Sequence, residues 1–113
     1  MDDMVILMNE VNNSGNIVHL YLSPSSGQYV AYGYSAYLVF RIVRGVPTYY
    51  DEDMQMPMVK LEDRHLKMIG VNTTEHLRIN GEYLRLKALQ TIKEDDYAEW
   101  AGFLRSSYFG VET

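Results

Sequence analysis

Between His76 and Phe109 the chain reads as two alternating strands around a tight turn, followed by an amphipathic helix, and this pairing restricts the fold more than any other feature. In HLRINGEYLRLKAL, Asn80-Gly81 suits the positive φ angles of a two-residue type I′ turn, so the flanking residues form a β-hairpin. Leu77, Leu84 and Leu86 then share one face with Ile79, which pairs with Glu82. The opposite face carries His76, Arg78, Tyr83, Arg85 and Lys87. In KEDDYAEWAGFLRSSYF, Tyr97, Trp100, Ala101, Leu104 and Tyr108 recur at helical spacing. Glu94, Asp95 and Asp96 suit the positive end of that helix's dipole, and Gly110 suits its exit. The aromatic stripe needs a sheet to cover, which points to an α+β chain of successive antiparallel strands.

Upstream, IVHLYL from Ile17 to Leu22 has the β-branched and aromatic content of a strand, and NNSGN and SPSSG on either side of it are turn clusters. MVILMNEV, residues 4–11, fits a helical stripe of Met4, Leu7, Met8 and Val11 or a buried strand, and we read it as a strand. Residues 28–43 read as extended, with Gly33 marking a bend, bulge or break. The even positions, Tyr32 and Tyr34 among them, then form an apolar face for the core, and Tyr29 and Tyr37 fall on the mixed surface. Residues 56–69 read as a hairpin turning at Glu62-Asp63, with a short helix over 60–69 ended by Gly70 as the alternative.

At 113 residues the chain has the length of one domain spanning residues 1–113. Its net charge of −5 disfavours nucleic acid held by broad phosphate neutralisation. With no cysteine, disulfides and thiolate chemistry are excluded, which fits an intracellular compartment. No apolar run reaches the roughly 20 residues of a membrane span, and the acidic start lacks a signal peptide's basic region. Met54, Met56 and Met58 recur at period two but are better read as packing than as a copper site. His19, His65 and His76 lack ligand spacing, and Asp51, Glu52 and Asp53 lack the rest of a calcium loop. No metal or cofactor is expected. No nucleophile elbow, P-loop or dinucleotide fingerprint occurs, so catalysis is not expected.

Three stretches together resemble the pleckstrin homology (PH-like) family. AYLVFRIVRGVPTYYDED, residues 36–53, is similar to its strand–turn–strand with paired aromatics, here Tyr49-Tyr50. MPMVKLED is similar to its proline-bearing strand, and EYLRLKALQTIKEDDYAEWAGFLRSS to its last hairpin strand and helix. The resemblance covers roughly residues 28–109 and leaves residues 1–27 outside it. It implies an antiparallel barrel or sandwich of about seven strands capped by the C-terminal helix, with Trp100 and Leu104 packed over the barrel opening. Phosphoinositide binders of the family converge basic residues from the first strands on phosphate. Here residues 17–38 contain no Lys or Arg, so that pocket is not expected.

The expected function is therefore a non-catalytic interaction module that binds a protein or peptide partner or a second copy of itself. The candidate contact residues are Tyr29, Tyr37, Arg78, Tyr83, Arg85 and Lys87, aromatic and basic groups of the kind enriched at hot spots. The alternatives are peripheral binding to a phosphoinositide membrane through the later basic residues, Lys60 and Lys67 included, and an acidic nucleic-acid mimic acting through Asp51, Glu52 and Asp53.

Overall fold

In the computed structural model, which describes residues 3–23, 25–69, 83–88 and 91–109, strands and helices interleave. Helix α1 (Asp3–Val11) precedes β1 (Ile17–Leu22) and β2 (Tyr29–Tyr32). Helix α2 (Gly33–Ile42) leads to β3 (Thr48–Asp51) and β4 (Met56–Leu61). A short α3 (Asp63–Met68), β5 (Tyr83–Lys87) and α4 (Glu94–Phe109) follow. The five strands form one open antiparallel sheet in the order β3-β4-β2-β1-β5. The sheet and its C-terminal helix are compatible with a PH-like fold. Among the described residues there is no closed barrel of seven strands, because stretches that the barrel needed as strands are helices.

Each face of the sheet meets different helices. Alternation in β1 sends Val18 and Leu20 to one face, where they join Ala31, Val59, Leu61 and Leu84 beneath Leu38 and Val39 of α2 and Leu66 of α3. Burying each of these valine and leucine side chains contributes about 1.5–3 kcal/mol before chain entropy is counted. Tyr97 and Trp100 of α4 pack against this core, as their spacing predicts. On the other face Tyr21 and Val30 pack with Ile6 of α1. No helix of the described residues is long and apolar enough to cross a membrane.

Several expectations are corrected. Residues 4–11 form helix α1 and not a strand, and the residues it buries are Ile6 and Glu10, one turn apart. Residues 28–43 break at Gly33, where β2 ends and α2 begins, so strand parity fails beyond that point. Tyr29 (2 % exposed) and Tyr37 (7 %) are in the core, whereas Tyr32 and Tyr34 are only half-buried, the reverse of the parity reading. The hairpin at Glu62-Asp63 is instead the end of β4 followed by α3, the alternative reading. There the Glu62 side chain accepts from the His65 backbone, and His65 Nδ1 accepts from Glu62 N at 3.0 Å, a reciprocal cap. The first strand and turn of the Asn80-Gly81 hairpin lie outside the described residues, while its second strand is β5, with Leu84 buried and Arg85 exposed as alternation requires.

Gly33 lets the chain turn from strand to helix. Its φ is +57°, and a Cβ there would lie 3.2 Å from Met56 Sδ and 3.3 Å from the Glu10 side chain. The left-handed conformation costs a residue with a Cβ about 1–2 kcal/mol, and crowding adds to it. Gly33→Ala is expected to lower unfolding stability by about 1–3 kcal/mol in urea denaturation. An unchanged midpoint would show that Gly33 is dispensable at the turn.

Candidate functional site

The start of α2 has no local cap. Tyr32, at the N-cap position, has extended dihedrals and makes no side-chain cap hydrogen bond. The cap comes from α1. The Ser35 amide donates to Glu10 Oε1 at 3.0 Å, and the Ser35 hydroxyl donates to Oε2 at 2.7 Å. Ser35 Oγ in turn accepts from the backbone N–H of His19 in β1 at 2.9 Å. One buried carboxylate thus joins α1, α2 and β1. Burial pushes the Glu10 carboxyl up from 4.5 to about 7, against the opposing pull of its hydrogen bonds with Ser35, Asn13 and Tyr34.

With α1 held in place, a polar cleft of about 720 Å³ opens between the α1–β1 loop and the outer face of β1 and β5. Its floor follows from the register Ile17↔Lys87, His19↔Arg85 and Tyr21↔Tyr83, which sets Tyr83, Arg85 and Lys87 in line beside His19. His19 Nδ1 and the Tyr83 hydroxyl share a hydrogen bond of 2.6 Å, and the two rings stack at 5.9 Å. Burial and then the Arg85 charge hold the His19 imidazole below its ordinary value, so it is neutral at pH 7. Burial raises the Tyr83 phenol, with Arg85 pulling it down and Glu10 raising it further.

The opposite wall is rich in amides: Asn9, Asn12, Asn13 and Asn16, with Ser14. Two of its members, Asn9 and Asn13, are held by side-chain hydrogen bonds. Asn9 Nδ2 donates to the Tyr21 hydroxyl at 3.0 Å. Asn13 Nδ2 donates to Ile17 O at 2.8 Å, and its Oδ1 accepts from Gly15 N at 2.9 Å. The loop is also tied to the segment entering α4, since Ile92 N donates to Gly15 O at 2.9 Å and Ala88 N to Asn16 O at 2.7 Å. Arg85 and Lys87 are exposed, and neither has a carboxylate partner among the described residues.

Ser35, His19 and Glu10 are the residue types of a hydrolytic triad, but they bond in the wrong order for one. Ser35 is fully buried and its hydroxyl donates a hydrogen bond to Glu10, while the His19 ring contacts Tyr83. The arrangement is a crosslink between elements. A separate cavity of about 290 Å³ between Val39, Ile42, Met68 and Leu86 is apolar except for Lys87. Among the described residues no group of three or more acidic or histidine side chains could hold a metal ion. Asp51 Oδ1 instead accepts from Met54 N at 3.0 Å inside the β3–β4 turn.

The structure brings together Tyr83, Arg85 and Lys87 of the residues singled out in the sequence. Tyr29 and Tyr37 are buried and lie away from the cleft, and Arg78 lies outside the described residues. Sequence reasoning missed His19, Glu10 and the asparagine wall. Four asparagines between positions 9 and 16 were the available signal, and a turn accounts for only part of them.

Fold and cleft together define a mixed α+β domain with a preformed polar recess on one face of an open antiparallel sheet. No protein-family model matches the chain, and no curated protein or solved structure matches it either.

Because Glu10 holds its proton more tightly when folded, folding takes up a proton between pH 4.5 and about 7. Its contribution to stability is complete below pH 4.5 and is lost as the pH rises through about 7, a change on the order of 3 kcal/mol. Glu10→Gln keeps the shape without the charge. Denaturant titrations from pH 4.5 to 8 are expected to show stability falling with pH in the parent chain and a flatter profile in the variant. Equal slopes would remove Glu10 as the source.

Proposed function

We propose that the protein is a non-catalytic interaction module whose cleft receives an acidic segment of a partner protein. The observation that carries this reading is the cleft's charge. In a chain of net −5, the lining contains Arg85, Lys87, a neutral histidine and four asparagines, and no acidic side chain. Carboxylates of a bound segment would gain charge-assisted hydrogen bonds from Arg85 and Lys87, and the side-chain amides of Asn12 and Asn16 would donate to its backbone carbonyls. Asn9 and Asn13 are already oriented by their own hydrogen bonds, which lowers the ordering cost of binding at that part of the wall. A PH-like scaffold used in this way departs from phosphoinositide binding, because its basic groups come from the late strand β5.

A second reading has its own observation. Met4, Val5, Leu7, Met8 and Val11 leave much of α1's outer surface apolar, and α1 forms one side of the basic cleft. Apolar residues beside basic ones suit insertion into an anionic membrane surface. The protein reading is preferred for two reasons. The net negative charge opposes approach to an anionic surface, and a concave recess with directional amides suits a discrete segment better than a plane of headgroups.

A labelled peptide alternating Asp and Leu, compared with an Asn and Leu counterpart, is the probe for fluorescence anisotropy. The acidic peptide is expected to bind, more weakly as salt rises, and to lose roughly tenfold or more in affinity on Arg85→Glu with Lys87→Glu. Equal binding of both peptides, or no effect of the double reversal, would overturn the acidic-segment reading. Co-sedimentation with phosphatidylserine vesicles, lost in the same double variant and unmatched by any peptide binding, would establish the membrane reading in its place.

A further inference from the structure

The helical layer on the other face of the sheet carries a second surface, of opposite charge. Asp96, Glu99, Trp100 and Phe103 fall on one face of α4, and Tyr37 and Phe40 lie one turn apart on α2. The Trp100 ring lies 5.0 Å from Tyr37 and 5.1 Å from Phe40. Together these six side chains line a shallow groove of about 310 Å³. Phe40 is 43 % exposed and Phe103 69 %, so the aromatic surface stays open to water. Asp96 and Glu99 at its rim are exposed, and no cation pairs with them among the described residues.

Single exposed aromatic residues are common on protein surfaces and need no partner to explain them. Here several rings converge beside two carboxylates, and the combination selects a particular chemistry. Ring faces attract a cation through their quadrupole, and carboxylates supply the countercharge. The chain shows the contact on one of these rings already. The Arg41 guanidinium lies 5.8 Å from the centre of Tyr37, with Nη1 donating to the Tyr37 hydroxyl at 3.4 Å. A planar guanidinium stacks on rings and pairs bidentately with carboxylates, which an ammonium cannot do.

From this charge complementarity we infer that the groove docks an arginine-bearing segment of a partner protein, its guanidinium on the Trp100–Phe103 surface and paired with Asp96 and Glu99. The site is separate from the asparagine-walled cleft and takes a ligand of opposite charge. Its presence does not depend on what the cleft binds.

Trp100 is the only tryptophan of the chain, so its fluorescence reports on the groove directly. The probe is a short peptide amide alternating Gly and Arg, with a Gly and citrulline peptide as the uncharged control. The arginine peptide is expected to change Trp100 emission saturably and to bind more weakly as salt rises. The affinity should fall about fivefold or more in Asp96→Asn with Glu99→Gln, and again in Phe103→Ala. Arg85→Glu with Lys87→Glu should leave it unchanged. All these side chains are exposed, and an unchanged melting temperature would confirm that each variant folds. The inference is overturned by an absent response, by an equal response to citrulline, or by unchanged affinity in the carboxamide variant. It is also overturned if emission shifts with the protein's own concentration and Phe103→Ala abolishes that shift, which would assign the groove to a second copy of the chain.

Discussion

The carboxylate of Glu10 is the constraint on which the arrangement of elements depends. Where β2 becomes α2 at Gly33, the new helix begins with amide groups that Tyr32 does not cap. Glu10 supplies the acceptor from a different helix, and the positive end of α2's dipole favours the negative charge placed there. Ser35 completes the link, its hydroxyl donating a hydrogen bond to Glu10 and accepting one from the amide of His19. Burying a carboxylate is costly, and the raised affinity of Glu10 for its proton measures that cost. In return α1 is fixed across the outer face of the sheet by a contact that apolar packing of Ile6 alone would not orient.

That placement explains the two dissimilar surfaces. One face of the sheet is closed by α2, α3 and α4 over an apolar core. The other is covered only in part by α1, and the uncovered portion of β1 and β5 becomes the floor of the cleft. The cleft's two walls come from elements far apart in sequence. They are held by backbone ties from Gly15 and Asn16 to Ile92 and Ala88, so the recess is formed before any ligand arrives.

Much of the sheet was legible because its strands alternate. β1 and β3 follow their β-branched and aromatic content, and alternation in β5 places Tyr83, Arg85 and Lys87 on one face. The α4 stripe was legible for the same kind of reason, at a period of 3.6. Helix α2 was not. Five consecutive residues from Ser35 to Val39 are buried, so GYSAYLVFRI has no polar face to reveal a period, and its β-branched and aromatic residues read as strand. Helix α1 misled as well. Its continuous apolar run suits a buried strand, while the helical stripe of Met4, Leu7, Met8 and Val11 points outward and Glu10 joins Ile6 in the inward contact. The asparagine wall was hidden because asparagines near glycine are ordinary turn chemistry, and only the fold shows which of them face a basic strand.

The central claim is that the amide wall and the β5 face act together as one receptor for an acidic segment. Amide chemical shifts recorded by nuclear magnetic resonance during titration with an acidic, leucine-bearing peptide test it most directly. The account predicts that the changes cluster at residues 9–19 and 83–88, with the side-chain amides of Asn9, Asn12, Asn13 and Asn16 among the most affected. Changes confined to α4, or spread evenly over the surface, would contradict it.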